Sequence, residues 1–146
     1  MKKILVSLLI GALLGGAGGF ALGIFLYPYF FLSDIVANEQ VANVTQKTIV
    51  ATGKFIHANP KDPIHHGKGT VTVYNDAVHL NADFEVGPGP AYHVYLVPID
   101  TVTTDTAVEK AMFVDLGRLR AFKGSQVYDI PAGLDLKKYP NVGMWC

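Results

Sequence analysis

Residues 78–97, VHLNADFEVGPGPAYHVYLV, decide the fold. In the first half apolar and polar residues alternate, and a period of two puts one face of a β-strand in a core and the other in water. The break at 87–90, GPGP, cannot lie inside a sheet, because proline lacks a backbone N–H and glycine favours turns. Residues 91–97 are almost continuously apolar, which is typical of a central strand covered on both faces. The stretch predicts two strands joined by a corner, with His93 as a buried polar ring in the second strand.

Short strand patterns continue on both sides of this stretch, separated by glycine and proline. Asn75-Asp76 is a tight-turn signal that predicts a hairpin leading into residue 78. Short strands at this spacing are typical of an all-β fold, and we expect a small antiparallel β-sandwich or barrel-like domain. The remaining predicted strands are 52–58, 69–74, 111–116, 126–130 and 141–146, with a polar excursion at 100–110 and a short helical turn at 134–139.

The N-terminus predicts a membrane anchor. Lys2 and Lys3 precede an uncharged apolar run at 4–26 that is long enough to cross a hydrocarbon core. The lysines favour the cytoplasmic side, so the chain after the run is expected outside the cytoplasm, in the periplasm or on the cell surface. A retained signal anchor is favoured over a cleaved signal peptide, because the apolar run is long and no small-residue cleavage site follows it. The side chains at the expected membrane interface are aromatic: Tyr27, Tyr29, Phe30 and Phe31.

The pattern divides the chain into an anchor at 1–32, a linker at 33–48 and a β domain at 49–146. Within the anchor, four glycines recur every four residues and so share one helix face, where close approach of a second helix is possible. We therefore predict possible homo-association through Gly11, Gly15, Gly19 and Gly23, against the alternative that glycine is simply common in membrane helices. The 12 basic and 12 acidic residues balance, and no basic run follows Lys3, which argues against a nucleic-acid partner.

The candidate ligands and nucleophiles are five histidines and one cysteine: His57, His65, His66, His79, His93 and Cys146. No pair has a strong metal-binding spacing, and the adjacent His65-His66 is a weak metal candidate. His57 and His79 are expected to be ordinary, partly exposed side chains. His93 is either a core histidine bonded to the backbone or a carboxylate, or else a ligand or proton acceptor.

Cys146 is the only cysteine, so it cannot form an intrachain disulfide. The alternatives are a free reactive thiol, a disulfide to another molecule, a thiolate ligand to a metal or haem, or an inert buried side chain. Asp83, Glu85 and Asp115 could supply an acid/base pair, but nothing in the sequence fixes their separation, and no hydrolase or nucleotide-binding motif occurs. A hydrolase is therefore the weaker hypothesis.

From about residue 53 onward the chain carries an ordered set of short motifs. The motifs are Gly53-Lys54-Phe55, His66-Gly67 before a strand, Leu80, Asp83-Phe84, Gly89-Pro90, His93-Val94-Tyr95-Leu96, Leu116-Gly117-Arg118-Leu119, Lys123-Gly124-Ser125-Gln126-Val127-Tyr128-Asp129-Ile130-Pro131, Tyr139, Val142 and Trp145-Cys146. In this the chain resembles the DM-thirteen domain, also called the electron-transfer DM domain. It departs from that pattern at Ala91, where the family usually has an acidic residue or Asn. The family also continues past Trp-Cys with a further strand, so we expect the β domain to lack its last strand.

The resemblance implies a small β-sandwich-like extracytoplasmic domain of a kind found beside DOMON and cytochrome-type membrane domains and in Skeletor-like matrix proteins. It implies electron transfer, with Cys146 as a redox-active thiol or as the ligand of a prosthetic group. The group could be a haem, a metal or none. Trp145 would pack beside the thiol, and His93 or His66 would be a second partner.

The leading hypothesis is a membrane-anchored redox module, rather than a turnover enzyme, that exchanges electrons with a partner protein through Cys146. The alternative is a non-catalytic binding or adhesion module that uses the polar row His79, Asn81 and Asp83 or the loop 59–68. A weaker third hypothesis is a metal-binding accessory protein that uses His65, His66 and Cys146.

Overall fold

The computed structural model describes residues 2–103, 105–106 and 113–146. It contains one long N-terminal helix followed by mostly antiparallel β-sheets. The helix, α1, spans Lys2–Tyr27, and a π-helical turn at Pro28–Leu32 extends it. By length and composition Lys2–Leu32 can cross a membrane, and no residue of α1 is buried against the rest of the chain. All four glycines of the predicted association face have open space around them.

The described residues form ten strands and two short 3-10 turns. The strands are β1 Val36–Asn38, β2 Ile49–Lys54, β3 Gly67–Lys68, β4 Thr70–Tyr74, β5 Ala77–Leu80, β6 Glu85–Val86, β7 His93–Val97, β8 Val114–Arg118, β9 Lys123–Asp129 and β10 Asn141–Trp145. The 3-10 turns are Val44–Gln46 and Leu136–Lys138.

The strands form two sheets, as expected for a β-sandwich. The larger sheet has the order β2-β4-β5-β9-β6-β3, and β1 adds to it by pairing parallel with β9. The smaller sheet has the order β10-β7-β8, and both of its pairings are antiparallel. The core contains Val78 and Leu80 from β5, Val94 and Leu96 from β7, and Phe84, none of them more than 2% exposed. Burial of these side chains is the main stabilising contribution to the domain.

The second half of residues 78–97 forms the predicted central strand, because β7 lies between β10 and β8. The first half does not form one strand, which corrects the prediction from alternation. β5 ends at Leu80, and a turn follows in which the Phe84 N–H donates to the Asn81 carbonyl at 2.9 Å. The turn forms because Asp83 accepts hydrogen bonds from the backbone N–H and hydroxyl of Thr70, at 3.0 and 2.8 Å. Phe84 is still buried, so the apolar pattern reported burial correctly but not conformation.

The other predicted elements lie close to observed ones. β4 and β5 form the hairpin around Asn75-Asp76, with Val73 opposite Val78. The strand predicted at 52–58 begins earlier and ends at Lys54, where the Phe55 N–H donates to the Gly69 carbonyl. The strands predicted at 126–130 and 141–146 correspond to β9 and β10, and the turn predicted at 134–139 contains a 3-10 turn. Two parts of these predictions lie outside the described residues. They are positions 104 and 107–110 of the polar excursion, and Ala111 and Met112 of the strand predicted at 111–116.

Residues 33–48, which the sequence predicts as a linker, contribute β1 to the larger sheet. Glu39 holds this segment on the domain. Its carboxylate accepts from Arg120 Nε and Nη2 at 2.6 and 2.5 Å and from the Val127 N–H at 2.8 Å. The Arg120 guanidinium lies 4.3 Å from the centre of the Tyr128 ring, a cation–π distance. The hydrogen bonds from Arg120 lower the pKa of Glu39 below its usual 4.5, although partial burial opposes them.

We expect Glu39→Gln to lower the free energy of unfolding by about 1 kcal/mol at pH 7, since the pair is bidentate but partly exposed to water. Because the folded-state pKa of Glu39 is lowered, the ion pair stabilises the fold above the unfolded-state pKa of about 4.5 and loses this contribution as the pH falls through the folded value. Urea unfolding of the variant and the parent chain at pH 7 and pH 3 measures this. Asp34→Asn, at an exposed position of the same segment, is the matched control. An equal effect of Glu39→Gln at both pH values would contradict the assignment.

Candidate functional site

Cys146 follows β10 directly, and its thiol is exposed. β10 pairs with β7 so that Trp145 lies opposite His93 and Met144 opposite Val94. Continuing this register by one residue puts Cys146 opposite Tyr92. The thiol is therefore presented at the end of the smaller sheet, beside the first residues of its central strand.

His93 lies on the face of β7 that points away from the core, between Trp145 on one neighbouring strand and Arg118 on the other. The prediction that a central strand buries it was wrong, since its side chain is 34% exposed. The smaller sheet has only three strands, and this end of its outer face stays partly open. His93 Nδ1 is 2.9 Å from a carboxylate oxygen of Asp115, and the His93 ring stacks on Tyr95 with centroids 6.1 Å apart. The carboxylate contact expected of a core histidine is present, but on a partly exposed ring.

Trp145 is 40% exposed at the edge of the same face. It lines a small cavity of about 20 Å³ whose walls also include Tyr95, Val97 and Phe113. Tyr95 and Phe113 meet edge to face at 6.2 Å. An aromatic surface thus extends from the residue before the thiol across the outer face of the smaller sheet.

Tyr92 was missed by the sequence analysis. It is 7% exposed, and its hydroxyl has no hydrogen-bond partner among the described residues. Burial and then the negative charge of Cys146 raise the pKa of Tyr92 to about 12. The only sequence signal was an aromatic residue next to His93 in an apolar run, and such a residue cannot be distinguished from core until the register with β10 is known.

The His65-His66 pair does not form part of a metal cluster in the described part of the chain, where no group of three or more His, Cys, Asp or Glu side chains could hold an ion. His65 Nδ1 contacts Asp62 at 2.7 Å, and this hydrogen bond lowers the pKa of Asp62 to about 2. His57 and His79 are partly buried, close to what was expected. Burial lowers the pKa of His79.

The three carboxylates considered as an acid/base pair each have a different partner. Asp83 binds Thr70 of β4, and Asp115 binds His93. Glu85 forms an ion pair with Lys68 at 3.0 Å, which lowers the pKa of Glu85. The structure uses them for local contacts and gives no support to hydrolase chemistry.

Comparison with known proteins identifies the domain that carries this site. Residues 59–146 match the family model described as Electron transfer DM13, which covers more than half of the chain and includes His93, Trp145 and Cys146. The chain belongs to the DM13 electron-transfer family. The resemblance drawn from the sequence motifs is thereby confirmed. Comparisons with curated proteins and with solved structures find no significant match.

The resemblance implies that a DM13 cysteine works either as a bare thiol or as the ligand of a prosthetic group, and the surroundings of Cys146 bear on the choice. The cavity beside Trp145 does not include Cys146 in its lining. A second cleft, of about 150 Å³, lies between the end of the long helix and the domain and is lined by Leu32, Tyr92 and Phe122 among others, and Cys146 is not part of its lining either. Cys146 is therefore not a ligand to a group bound inside either of these two cavities.

Proposed function

We propose that this DM13 chain is a membrane-anchored, extracytoplasmic electron-transfer module whose redox group is the Cys146 thiol. The observation that carries the proposal is an exposed thiol at the end of β10, inside the matched domain. Exposure is what a thiol needs in order to meet a second molecule, and a buried cysteine would be inert. The family match supports electron transfer, and the single thiol supports Cys146 as the place where it occurs.

Thiol–disulfide exchange is the electron-transfer chemistry that one cysteine can perform. The Cys146 thiolate attacks a disulfide of a partner, a new S–S bond forms between them, and the partner's second sulfur leaves with the electron pair of the broken bond. A dithiol partner then completes the cycle. One of its thiolates attacks the Cys146 sulfur of the mixed disulfide, and the first partner leaves with both of its sulfurs as thiolates. The other thiolate of the dithiol closes a disulfide within that second partner and releases Cys146 as a thiolate. Over the three steps two electrons pass from the dithiol to the first partner's disulfide. The module needs both partners, because it carries no resolving cysteine of its own.

We propose a supporting role for the side chains next to the thiol. His93 keeps Nδ1 on the Asp115 carboxylate, which leaves Nε2 as the nitrogen that can exchange a proton with the thiol. Trp145 supplies an apolar surface on which a partner can dock beside the sulfur. The pairing of Trp145 with His93, one residue before Cys146, supports these roles.

The proposed location rests on the N-terminal helix. Lys2–Leu32 is long and apolar enough to span a membrane, and the two lysines at its start favour the cytoplasmic side. Leu32, at the end of this helix, packs against the core of the β domain. We therefore place the domain close to the extracytoplasmic surface of the membrane that the helix spans. Homo-association of this helix through Gly11, Gly15, Gly19 and Gly23 is also part of the proposal.

Thiol labelling on intact cells tests the location and the exposure of Cys146 together. A membrane-impermeant maleimide is added to cells that make the full-length chain, before and after permeabilisation. Because the chain has one cysteine, any label reports Cys146 alone, and Cys146→Ser gives the background. We expect full labelling without permeabilisation. Labelling that requires permeabilised cells would refute the extracytoplasmic location.

A further inference from the structure

The cleft of about 150 Å³ between the end of the long helix and the β domain is lined mostly by apolar residues. The helix side contributes Leu32 and Ile35, and the domain side contributes Pro90, Leu119 and Phe122 among others. An apolar cavity of about this size can hold a group as large as benzene. The cleft can therefore accept a short apolar group, such as the first few carbon atoms of an acyl chain.

Two arginines also line this cleft, and they differ in how their charge is compensated. The Arg120 guanidinium forms an ion pair with Glu39 at 2.5 Å. Arg118 has no carboxylate within ion-pair distance among the described residues. Arg118 Nη2 instead donates to the Pro90 carbonyl at 2.8 Å, which holds the guanidinium beside a residue of the cleft wall. The cleft thus carries one positive charge that the described part of the chain does not pair.

The acidic residue on the same strand does not cancel this charge. Asp115 of β8 accepts from the Gly117 N–H at 2.8 Å and contacts His93 Nδ1 at 2.9 Å. A guanidinium has five N–H donors in a planar fork, and it binds the oxygens of a phosphate group well. Arg118 uses one of its two terminal nitrogens on Pro90, so donors remain for a ligand. The cleft therefore complements an anion that carries an apolar part.

The length of the helix places the cleft at the level of lipid headgroups. The apolar run at 4–26 is about 34 Å long at 1.5 Å per residue, close to the thickness of a hydrocarbon core. Leu32 then lies about 8 to 9 Å further along the axis, and each headgroup layer is about 5 to 8 Å thick. Tyr27, Phe30 and Phe31, between the run and the cleft, are exposed, as expected of interfacial aromatic residues.

We propose that this cleft binds an anionic phospholipid, with the lipid phosphate on Arg118 and the start of an acyl chain against Leu32 and Phe122. The inference rests on the membrane anchoring in the proposed function, because the membrane supplies the ligand. A lipid in this position contacts both the helix end and the β domain. It therefore fixes the orientation of the domain on the membrane surface.

Photo-crosslinking of the full-length chain in phosphatidylcholine vesicles tests the site. The vesicles contain a trace of phosphatidylglycerol or of phosphatidylcholine, each with a diazirine near the start of one acyl chain, and pepsin digestion with mass spectrometry locates the adducts. We expect both probes to label α1 alike, and the phosphatidylglycerol probe to label residues 118–122 about fivefold more, a factor that one arginine at a membrane surface can supply. Equal labelling of residues 118–122 by the two probes, or none by either, would overturn the proposal.

Two variants assign the selectivity to the cleft. Arg118→Gln removes the charge and keeps much of the side chain, so we expect labelling of residues 118–122 by phosphatidylglycerol to fall to the level of phosphatidylcholine. Lys137→Gln is the matched control, because Lys137 is exposed and does not line the cleft, and labelling should stay unchanged. An equal loss in both variants would show a general effect of charge and contradict the site. The comparison of the two probes uses the parent chain, so it decides even if Arg118→Gln does not fold.

Inorganic phosphate in the buffer distinguishes a lipid from a free anion. We expect it to leave the labelling unchanged, because phosphate alone has no apolar part to bury. Suppression of the labelling at residues 118–122 by phosphate would assign the site to the free anion and overturn the lipid.

Labelling of α1 reports on the membrane anchor separately. A chain that is labelled on α1 but not at residues 118–122 keeps the proposed anchor and loses the lipid site. A chain with no label on α1 loses both. Neither result depends on the chemistry of Cys146.

Discussion

Replacing Gly124 by alanine is expected to lower the free energy of unfolding by about 3 to 4 kcal/mol, the largest loss of stability that we predict for a single methyl group. Gly124 lies in β9 with φ at +85°, a conformation that side chains with a Cβ rarely adopt. A Cβ there would lie 2.1 Å from the carbonyl oxygen of Ala37, which belongs to the backbone of β1. Backbone cannot move aside as a flexible side chain does, so β1 must leave its place on β9.

Gly133→Ala is the control that separates the two causes. Gly133 has nearly the same φ, +82°, but no atom lies within 4 Å of its added Cβ. We expect its cost to be about 1 to 2 kcal/mol, from backbone strain alone. Urea unfolding of the full-length chain followed by the fluorescence of its one tryptophan measures both variants. Limited proteolysis then locates the change, since only Gly124→Ala should expose residues 33–48 to cleavage. Equal costs for the two substitutions would show that β1 does not pack on Gly124.

The segment at residues 33–48 also shows what the sequence could not predict. It carries no periodic pattern, and β1 is only three residues long, so no local signal distinguishes this segment from a tether. It becomes a strand because β9 offers it backbone partners and because Arg120 and the Val127 N–H bind Glu39. Those contacts join residues more than 80 positions apart, and only the folded chain brings them together.

Patterns of apolar residues predicted burial better than they predicted conformation. The continuous run before Pro98 correctly indicated a central strand, because such a run needs cover on both faces. The alternation before Gly87 placed Leu80 and Phe84 in the core as expected, but the turn between them depends on hydrogen bonds from Thr70 to Asp83. Alternation with a period of two indicates which side chains share a face of a strand. It contains no information about the hydrogen bonds that those side chains form with another strand.

The sequence named the residues of the candidate site but did not predict how they are arranged. Cys146, Trp145 and His93 followed from the sequence motifs, and strand pairing brings Trp145 and His93 together. The exposure of His93 depends on how many strands cover β7, which no local pattern encodes. Tyr92 became visible only through its burial and the missing hydrogen bond of its hydroxyl.

The central claim is that the fold makes the Cys146 thiol active in electron exchange. We expect the folded chain to form a mixed disulfide with oxidised glutathione about tenfold faster than the same chain unfolded in urea, because the proposed proton exchange with His93 requires the folded pairing of β10 with β7. Excess reduced glutathione should remove the adduct and regenerate the thiol, and Cys146→Ser should show no reaction at all.

The most direct measurement is this exchange rate, followed by intact-protein mass on the full-length chain with and without urea. A folded chain that reacts faster and reversibly at Cys146 is the result that we predict. A folded chain that reacts no faster than the unfolded one would contradict electron transfer through this sulfur.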